Sequence, residues 1–466
     1  MADPTISSSP KHIVVIGGGL AGCTAALQAA RHNAQKNAQT CATQPVRVTL
    51  LESKSRLGGR VGSYFDEETG QWIDYCQHVG MKCCTALREL IDELGCRDAW
   101  QEVSELHFYG PGRESRTLRA LPLLPAPAHL ASWLWGWPGL SWRDRLGIAL
   151  GMHRLNRLRL DATNAERLDR TSALEWLKAQ RQSDHALDRF WNTVLVSALG
   201  EELAHVNLAA VAKVFQDGFL RRRDAFHLLV PQRPLKEIFG TEMHAALERT
   251  GVNVRLSQSV QHLEWNEGDT ASARCTAVIT SGGERIEADR VILSVPWFAA
   301  AELLRDAPGG WSELAAGWRS ISSSPISGVH TWWDRDWLPT PHAALVGRLC
   351  QWIFPAIGDT ADRTQTYYQI VISASRSLPK DPDEQRRVIV EDLGDVFPQV
   401  KAAKLMRLKA VTDPRAVFSV RPGTFALRPK TCPVPGNVQL AGDWTQTGWP
   451  ATMEGAIRSG RACSES

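Results

Sequence analysis

The sequence predicts an α/β protein in which a strand-turn-helix domain is interleaved with an α+β domain and a helical cap. The chain opens with a β-forming run that ends in glycines and passes into a helix-forming run. A strand followed by glycine returns near its end. Between the two, helical and strand patterns alternate without a linker that divides them. We therefore expect the chain to visit each domain more than once.

The opening run, residues 12–22, reads His-Ile-Val-Val-Ile-Gly-Gly-Gly-Leu-Ala-Gly. Gly17, Gly19 and Gly22 fit the pattern G-x-G-x-x-G. Its first two glycines allow a tight turn and the close approach of a pyrophosphate, and the third lets the helix pack on the strand. The helix N-terminus, at Leu20 and Ala21, presents unpaired N–H groups to the phosphates. These residues predict a dinucleotide site in a Rossmann-like fold.

An acid at the end of the second predicted strand, residues 46–51, supports this site. Glu52 can accept a hydrogen bond from a ribose hydroxyl, and we assign its neighbour Ser53 to the same site. The acid lies 52 − 22 = 30 residues past the last glycine, against about 20 in the usual motif. We expect the polar tract 33–45 to be a surface insertion that accounts for the excess.

A second glycine-rich loop, residues 55–62, follows the acid directly. It carries Arg60, which can pair with phosphate oxygens. Spacing alone would favour a solvated turn. The position of the loop, immediately after the ribose-binding acid, favours a cofactor role.

Composition limits the classes of function. The 466 residues suffice for two domains, and 43% hydrophobic with 22% charged residues is typical of a soluble globular protein. A net charge of +3 gives no overall field for nucleic acid. The ten cysteines do not form the spacing of a disulfide scaffold or a metal site, so we expect free thiols in a cytoplasmic protein. No apolar run approaches the roughly 20 residues of a membrane-spanning helix.

Helical patterns predict the cap at 85–94, 144–160, 172–180 and 188–199, and two further helices at 235–249 and 297–304. Strands are predicted at 252–256, 259–263 and 289–296, with a hairpin turn at 281–283. The later part combines a strand at 367–374 with a helix at 382–396. We assign 10–75, 231–304 and 430–466 to the nucleotide-binding domain. The remaining stretches, 76–230 and 305–429, form the substrate-binding domain with its helical cap.

One stretch of the cap, residues 118–142, is rich in proline and tryptophan. It contains Trp133, Trp135, Trp137 and Trp142, with arginines on either side. Indole rings favour the headgroup layer of a bilayer and arginine favours anionic lipid. One hypothesis is therefore peripheral contact with the inner face of a membrane. The other is that these rings fill the core of the cap, and the sequence does not decide between them.

The closing segment repeats the strand-turn-helix pattern of the opening run. Residues 436–441 form a strand pattern that ends in Gly442-Asp443, and a helix follows near Thr452 and Met453, with Pro450 placed for its first turn. The N-terminus of such a helix can stabilise negative charge on a bound ring system.

Together, the two ends of the chain resemble the flavin-dependent amine oxidase and phytoene desaturase superfamily. In that superfamily a G-x-G-x-x-G segment and a C-terminal Gly-Asp segment hold opposite ends of one FAD. The resemblance implies a GR2-type Rossmann-like domain that binds FAD. It places the cofactor contacts at Gly17, Gly19, Leu20, Ala21, Gly22, Glu52, Ser53, Arg60, Val260, Gly442, Asp443, Thr452 and Met453.

Two longer strings, residues 74–84 and 441–456, resemble the hydroxysqualene dehydroxylase branch of the superfamily. This resemblance implies reductive dehydroxylation of a C30 isoprenoid alcohol, with hydride from reduced FAD to the allylic carbinol carbon and loss of water. The sequence does not identify the electron donor. Cys76 stands where many members have glycine.

Dehydroxylation needs an acid and a dry apolar channel. We assign the acid to His78 and its orienting partner to Asp74, because residues four apart on a strand share one face. The alternatives are a satisfied buried imidazole for His78, and a structural acceptor or a flavin contact for Asp74.

Three other functions stay open. A carotenoid or phytoene desaturase would oxidise its lipid. An amine oxidase would carry paired aromatic rings at the flavin, whereas Thr452 stands where that motif often has tyrosine. A non-redox prenyl-lipid binding protein of the same fold would lack an intact FAD clasp.

Overall fold

The computed structural model describes residues 12–40, 46–110, 114–266, 273–355 and 365–463. In these ranges the helices are α1 (Leu20–Thr40), α2 (Thr85–Glu93), α3 (Ala131–Gly136), α4 (Trp142–Asn156), α5 (Ala162–Arg170), α6 (Ala173–Ala179), α7 (Asp184–Ala186), α8 (Thr193–Leu199), α9 (Leu208–Phe215), α10 (Met243–Arg249), α11 (Trp297–Leu303), α12 (Trp311–Trp318), α13 (Pro382–Val396), α14 (Thr424–Leu427) and α15 (Met453–Ala462).

The strands are β1 (His12–Ile16), β2 (Arg47–Leu51), β3 (Ser63–Asp66), β4 (Gln71–Asp74), β5 (Gly80–Met81), β6 (Trp100–Val103), β7 (Leu106–Tyr109), β8 (Ser115–Leu118), β9 (Leu228–Pro231), β10 (Asn253–Arg255), β11 (Val260–Trp265), β12 (Cys275–Thr280), β13 (Arg285–Glu287), β14 (Arg290–Leu293), β15 (Ser323–Trp333), β16 (Ala343–Leu345), β17 (Trp352–Pro355), β18 (Thr366–Ser373), β19 (Leu405–Phe418) and β20 (Val438–Leu440).

A five-stranded parallel sheet in the order β10-β2-β1-β14-β20 carries the opening motif. Every residue of its central strand β1 is buried, because both faces of the sheet are covered. Ile13 and Val15 pack into one apolar cluster with α1 and α10, whereas Val14 and Ile16 pack into the cluster that extends under the cap. Since all five strands are parallel, their carboxyl ends meet at one edge, where a ligand is expected in such sheets.

A seven-stranded sheet in the order β19-β15-β18-β17-β16-β7-β8 forms the second layer system. Its longest pairing joins β15 to β18 and β19, all antiparallel. Helices α3 to α9 form the cap, whose core is aromatic, with Trp191, Phe190 and Phe215 in mutual ring contact. The predicted α/β class with an α+β second part is therefore confirmed.

Most predicted elements are present within a few residues of their expected ends. The hairpin turn at 281–283 joins β12 to β13, and α13 covers the predicted 382–396. Two predicted helices begin with a π-helical turn, Leu187–Asn192 before α8 and Lys236–Glu242 before α10.

Three local expectations are wrong. Helix α1 continues to Thr40, so the tract 33–40 lengthens the helix and is not a surface insertion, while 41–45 lies outside the described residues. Strand β4 ends at Asp74, and residues 75–79 do not continue it. Pro450 precedes α15, whose N-cap is Thr452, so the proline is not in its first turn.

Candidate functional site

The glycine turn lies between β1 and α1 as the pattern requires. Gly17 has φ +105°, which favours glycine, and a Cβ at Gly22 would lie 1.9 Å from the carbonyl oxygen of Gly17. A Cβ built on Gly19, in contrast, would meet nothing within 4 Å. Gly17 and Gly22 thus serve the turn and the helix packing, whereas Gly19 leaves open space at the start of α1.

Glu52 is buried at the carboxyl end of β2, beside this turn. Its Oε2 accepts from the backbone N–H of Gly18 at 2.6 Å, and its Oε1 accepts from the N–H of Lys54 at 2.8 Å and from Ser53 Oγ at 3.1 Å. The carboxylate is therefore held in one orientation, and Oε2, which accepts one hydrogen bond, can accept a second.

Val260, the first residue of β11, follows a loop tied to the same corner. The Gln258 N–H donates to the Glu52 carbonyl at 2.8 Å, and the Ser257 N–H donates to the Lys54 carbonyl at 2.8 Å. These bonds bring Val260, a predicted cofactor contact, near Glu52, although about two hundred residues separate the two in the chain.

The second glycine-rich loop packs directly on the first. The Gly58 N–H donates to the Gly18 carbonyl at 2.9 Å, and a Cβ at Gly59 would lie 3.1 Å from the Cα of Gly19. Arg56 turns back into its own loop and donates to the Gly59 carbonyl at 3.0 Å. The loop therefore lies against the glycine turn, where a cofactor role is predicted for it. The Arg56 guanidinium is directed into its own loop.

Arg60 connects this loop to the closing motif. Its Nη2 lies 2.6 Å from Asp443 Oδ1, and its Nη1 donates to the Ala416 carbonyl at 2.7 Å. The two residues are 383 positions apart in the chain. Burial opposes the positive charge, but the attraction of the Asp443 carboxylate raises the pKa of Arg60. The first and last motifs therefore meet in one ion pair.

Helix α15 is tied to the glycine that precedes Asp443. Thr452 is its N-cap and accepts from the Gly455 N–H at 3.1 Å, while the Gly442 N–H donates to Ser459 Oγ at 2.7 Å. Thr452 and Met453 thus lie at the helix N-terminus, where the sequence places the flavin ring.

Two buried charged residues that hold the site were missed. Arg428 donates to the backbone carbonyls of Asp443 (3.1 Å), Trp444 (3.3 Å), Thr445 and Trp449 (2.8 Å), and so ties down the loop before α15. Apart from Thr447 Oγ1 at 3.4 Å, its hydrogen-bond partners are backbone carbonyls, which leave no signal in a sequence pattern.

The second missed residue, Glu454, caps a different helix. Its carboxylate accepts from the N–H groups of Ala86 (3.1 Å) and Leu87 (2.9 Å) at the start of α2, and from Arg458 Nε at 2.6 Å. An acid in the first turn of α15 was the only available hint, and it suggested a role within its own helix.

The predicted partnership of His78 with Asp74 is wrong. Because β4 ends at Asp74, the two residues do not share a strand face. Asp74 Oδ1 accepts from Ser63 Oγ at 2.6 Å and from the Leu235 N–H at 3.0 Å. His78 Nδ1 donates to the Cys76 carbonyl at 2.8 Å. In the neutral ring, Nε2 is then the acceptor.

Burial shifts the two groups in opposite directions. It lowers the pKa of His78, and the nearby charge of Arg60 lowers it further. It raises the pKa of Asp74 to about 6, against the hydrogen bonds from Ser63 and Leu235. His78 therefore lies within electrostatic reach of Arg60, whereas Asp74 is held against the start of the helical stretch 236–249.

The tryptophan-rich stretch contains one buried pair of rings, as expected for a cap core, and one exposed pair. Trp133 and Trp137 are buried in the cap, and Trp137 Nε1 donates to the Arg189 carbonyl at 3.0 Å. Trp135 and Trp142 are 69% and 63% exposed. Only the second pair is therefore placed to contact a membrane. Among the described residues, no helix combines the length and the apolar character needed to cross a bilayer.

The site as a whole fits a dinucleotide with a bound ring system. Open space at Gly19 leaves room for a pyrophosphate at the N-terminus of α1, and Glu52 offers a fixed acceptor for a ribose. The Arg60–Asp443 pair joins the second glycine-rich loop to the closing motif, and the N-terminus of α15, capped by Thr452, is the part of that motif suited to a ring that carries negative charge.

Curated proteins of similar sequence include two kinds of isoprenoid enzyme. A 15-cis-phytoene desaturase from Solanum lycopersicum is 25% identical over 98% of this chain and 78% of its own length. A hydroxysqualene dehydroxylase from Sinorhizobium fredii is 25% identical over 98% of both chains.

Solved structures of the same fold include an oxidoreductase from Methanosarcina mazei, with a TM-score of 0.70 and 16% identity over 98% of this chain and 100% of that chain. Cyclohexylamine oxidase from Brevibacterium oxydans has a TM-score of 0.65 and 18% identity over 98% of both chains.

The family model described as flavin containing amine oxidoreductase matches residues 26–466. That match covers nearly the whole chain and confirms FAD, the cofactor that the family resemblance implies. The chain therefore belongs to the flavin containing amine oxidoreductase family and is an FAD-dependent oxidoreductase.

Proposed function

We propose that this protein reductively dehydroxylates hydroxysqualene to squalene. The observation that carries the proposal is the relationship to hydroxysqualene dehydroxylase, which extends over 98% of both chains, whereas the tomato phytoene desaturase is matched over 78% of its length. The apolar cap supports a hydrocarbon substrate, since an aromatic-lined cavity lies within it.

Bound FAD, once reduced, supplies the hydride that replaces the hydroxyl at the allylic carbinol carbon. For the protein, we propose that segments 10–75, 231–304 and 430–466 hold the cofactor. Gly17, Gly19, Leu20, Ala21 and Gly22 would hold its pyrophosphate, with Glu52, Ser53 and Val260 at the ribose end. Arg60, Gly442, Asp443, Thr452 and Met453 would lie at the ring. The rest of the chain, 76–230 and 305–429, would bind the substrate.

The departing hydroxyl needs a proton, and we propose that His78 supplies it. Its Nδ1 is bound to the Cys76 carbonyl, which leaves Nε2 to carry the mobile proton. Because burial lowers the pKa of His78, the protonated form is populated only on the acid side of the usual value of 6.5. The rate of squalene formation should therefore rise as the pH falls towards and below 6.5.

We further propose that the protein works in the cytoplasm at the inner face of a membrane. Squalene is a hydrocarbon and its alcohol precursor is apolar except for one hydroxyl group, so both partition into bilayers. The exposed rings of Trp135 and Trp142 support peripheral contact. The nine cysteines in the described ranges are free thiols, which agrees with a reducing compartment.

Anaerobic incubation of the photoreduced holoenzyme with hydroxysqualene tests the reaction. We expect the oxidised flavin spectrum to return with one squalene formed per flavin. His78→Ala should retain bound FAD but lose about 10²-fold or more in rate, the usual contribution of a general acid, together with the rise in rate at low pH.

Other outcomes separate the alternatives. Flavin reoxidation without squalene would refute the reaction. Reduction of oxidised flavin by phytoene would indicate a desaturase, and reduction by an amine would indicate an amine oxidase. An unchanged pH profile in His78→Ala would remove that residue as the acid. Protein purified without flavin would favour the non-redox lipid binder.

A further inference from the structure

The most exposed large apolar side chains of the described residues lie in one part of the chain. Those that are at least half exposed are Leu123 (92%), Trp135 (69%), Trp142 (63%), Leu146 (56%) and Leu150 (50%). We call these five residues the cap patch. Single exposed apolar residues are normal in soluble proteins, whereas exposed apolar residues that share one surface mark an interaction site.

Three members of the cap patch form a stripe along α4. Trp142, Leu146 and Leu150 lie four residues apart and therefore share one helix face. The opposite face, with Ile148 and Leu155, is buried in the cap. An amphipathic helix at the surface of a soluble protein has polar residues on its outer face. Helix α4 is thus apolar on both faces for two of its turns.

An apolar cavity opens beside the stripe, between α3 and α4. It has a volume of about 300 Å³, and its floor is formed by Trp133, Trp137, Phe215 and Phe219. Ala149 and His153 of α4 also line it. At 3.6 residues per turn, both lie within roughly 20° of Trp142 around the helix axis. The mouth of the cavity therefore runs along one edge of the stripe.

Positive charge borders the other edge. Arg143, Arg154 and Arg157 are exposed, and the Arg143 guanidinium lies 5.3 Å from the centre of the Trp142 ring. From a distant part of the chain, Arg223 donates to the Leu121 carbonyl at 3.1 Å, next to the loop that carries Leu123. Arginine beside exposed indole and leucine is complementary to the headgroups and outer acyl region of an anionic bilayer.

We propose that the cap patch docks on a bilayer containing anionic phospholipid, and that one end of the isoprenoid chain of the substrate passes from that bilayer into the cavity between α3 and α4. A volume of about 300 Å³ lies at the lower limit of small-molecule pockets, so the cavity takes part of a C30 chain and not all of it. The inference rests on the proposed function for the identity of the chain, but the docking does not depend on the reaction.

Flotation of the holoenzyme with vesicles of phosphatidylcholine, with and without phosphatidylglycerol, tests the docking. We expect the protein to float with the anionic vesicles and to be released by salt. Leu146→Glu/Leu150→Glu should float at least ten-fold less. Met406→Glu, which changes an exposed apolar residue outside the patch, should float like the wild type. A wild type that stays at the bottom of the gradient, or a double variant that floats normally, would overturn the docking.

Equilibrium dialysis with radiolabelled farnesol, a C15 prenyl alcohol, tests the cavity. Ala149→Trp places an indole at the mouth and should weaken saturable binding at least ten-fold. Ala316→Trp, at an exposed position on α12, serves as its control and should bind normally. Equal binding by both variants would overturn the entry route. If flotation and farnesol binding behave as expected while squalene is not formed, the proposed reaction fails and the lipid entry surface stands.

Discussion

At the scale of single residues, the burial of Asp74 makes the folded protein less stable when this carboxyl is ionised. Its carboxyl is buried, with Oδ1 bound to Ser63 and Leu235 and no protein partner for Oδ2 within the described ranges. Burial raises its pKa to about 6 from 3.8. The folded protein therefore holds this proton more tightly than the unfolded chain does, and stability falls as the pH rises from about 4 to about 6.

Asp74→Asn should remove this loss. The amide oxygen can accept the same two hydrogen bonds without a charge. The free energy of unfolding of the variant should therefore rise relative to that of the wild type as the pH rises. A shift of about two units corresponds to roughly 3 kcal/mol between pH 4 and pH 7. Urea unfolding at several pH values measures the difference. Asp306→Asn, at an exposed position, is the control, and its unfolding free energy should vary with pH as that of the wild type does. The same pH dependence in Asp74→Asn and the wild type would contradict the raised pKa of Asp74.

The residues of the site differ in how far the sequence could predict them. Gly17, Gly22 and Glu52 follow from local chemistry, since a tight turn, close packing and a ribose acceptor each demand one residue type at one spacing. The pairing of His78 with Asp74 failed because it assumed that β4 continues past Asp74. Where a strand ends depends on partners elsewhere in the chain, and a short alternating pattern does not contain that information.

At the scale of elements, the loop before α15 depends on one buried cation. Arg428 binds four backbone carbonyls between Asp443 and Trp449, of which only that of Thr445 also accepts a backbone N–H, from Thr447 at 2.8 Å. Burial lowers its pKa to about 10, so it stays charged at neutral pH. The predicted flavin segment therefore owes its shape to a residue outside the motif.

Arg428→Met should release this loop, because it keeps much of the side-chain length and removes every donor. Buried carbonyls left unpaired cost about 1 to 3 kcal/mol each, so we expect a loss of roughly 3 kcal/mol or more in unfolding free energy. The flavin-to-protein ratio after gel filtration should fall with it. Arg428→Lys should be intermediate. Lys430→Met, at an exposed position two residues away, should be neutral, and full flavin retention in Arg428→Met would contradict the role.

At the scale of the whole molecule, the two ends of the chain are joined by direct helix contact. Helix α15 packs on α1, and a Cβ at Gly460 would lie 2.3 Å from the carbonyl oxygen of Ala21, in the first turn of α1. The same two ends meet again in the Arg60–Asp443 pair. The sequence could show both motifs, but not that α15 lies against α1.

Gly460→Ala tests this connection at a single atom. The added methyl group must push α15 away from Ala21, since the atom it meets belongs to the backbone, and such overpacking costs about 1 to 3 kcal/mol. Because α1 begins at the glycine turn, we expect weaker flavin retention as well as lower unfolding free energy. Gly317→Ala, in α12 with no atom within 4 Å of the new Cβ, is the matched control and should gain roughly 0.5 to 1 kcal/mol from helix propensity. A gain of stability in Gly460→Ala like that of the control would contradict the tight contact between the two ends. A loss of stability with full flavin retention would show that this helix packing does not affect cofactor binding.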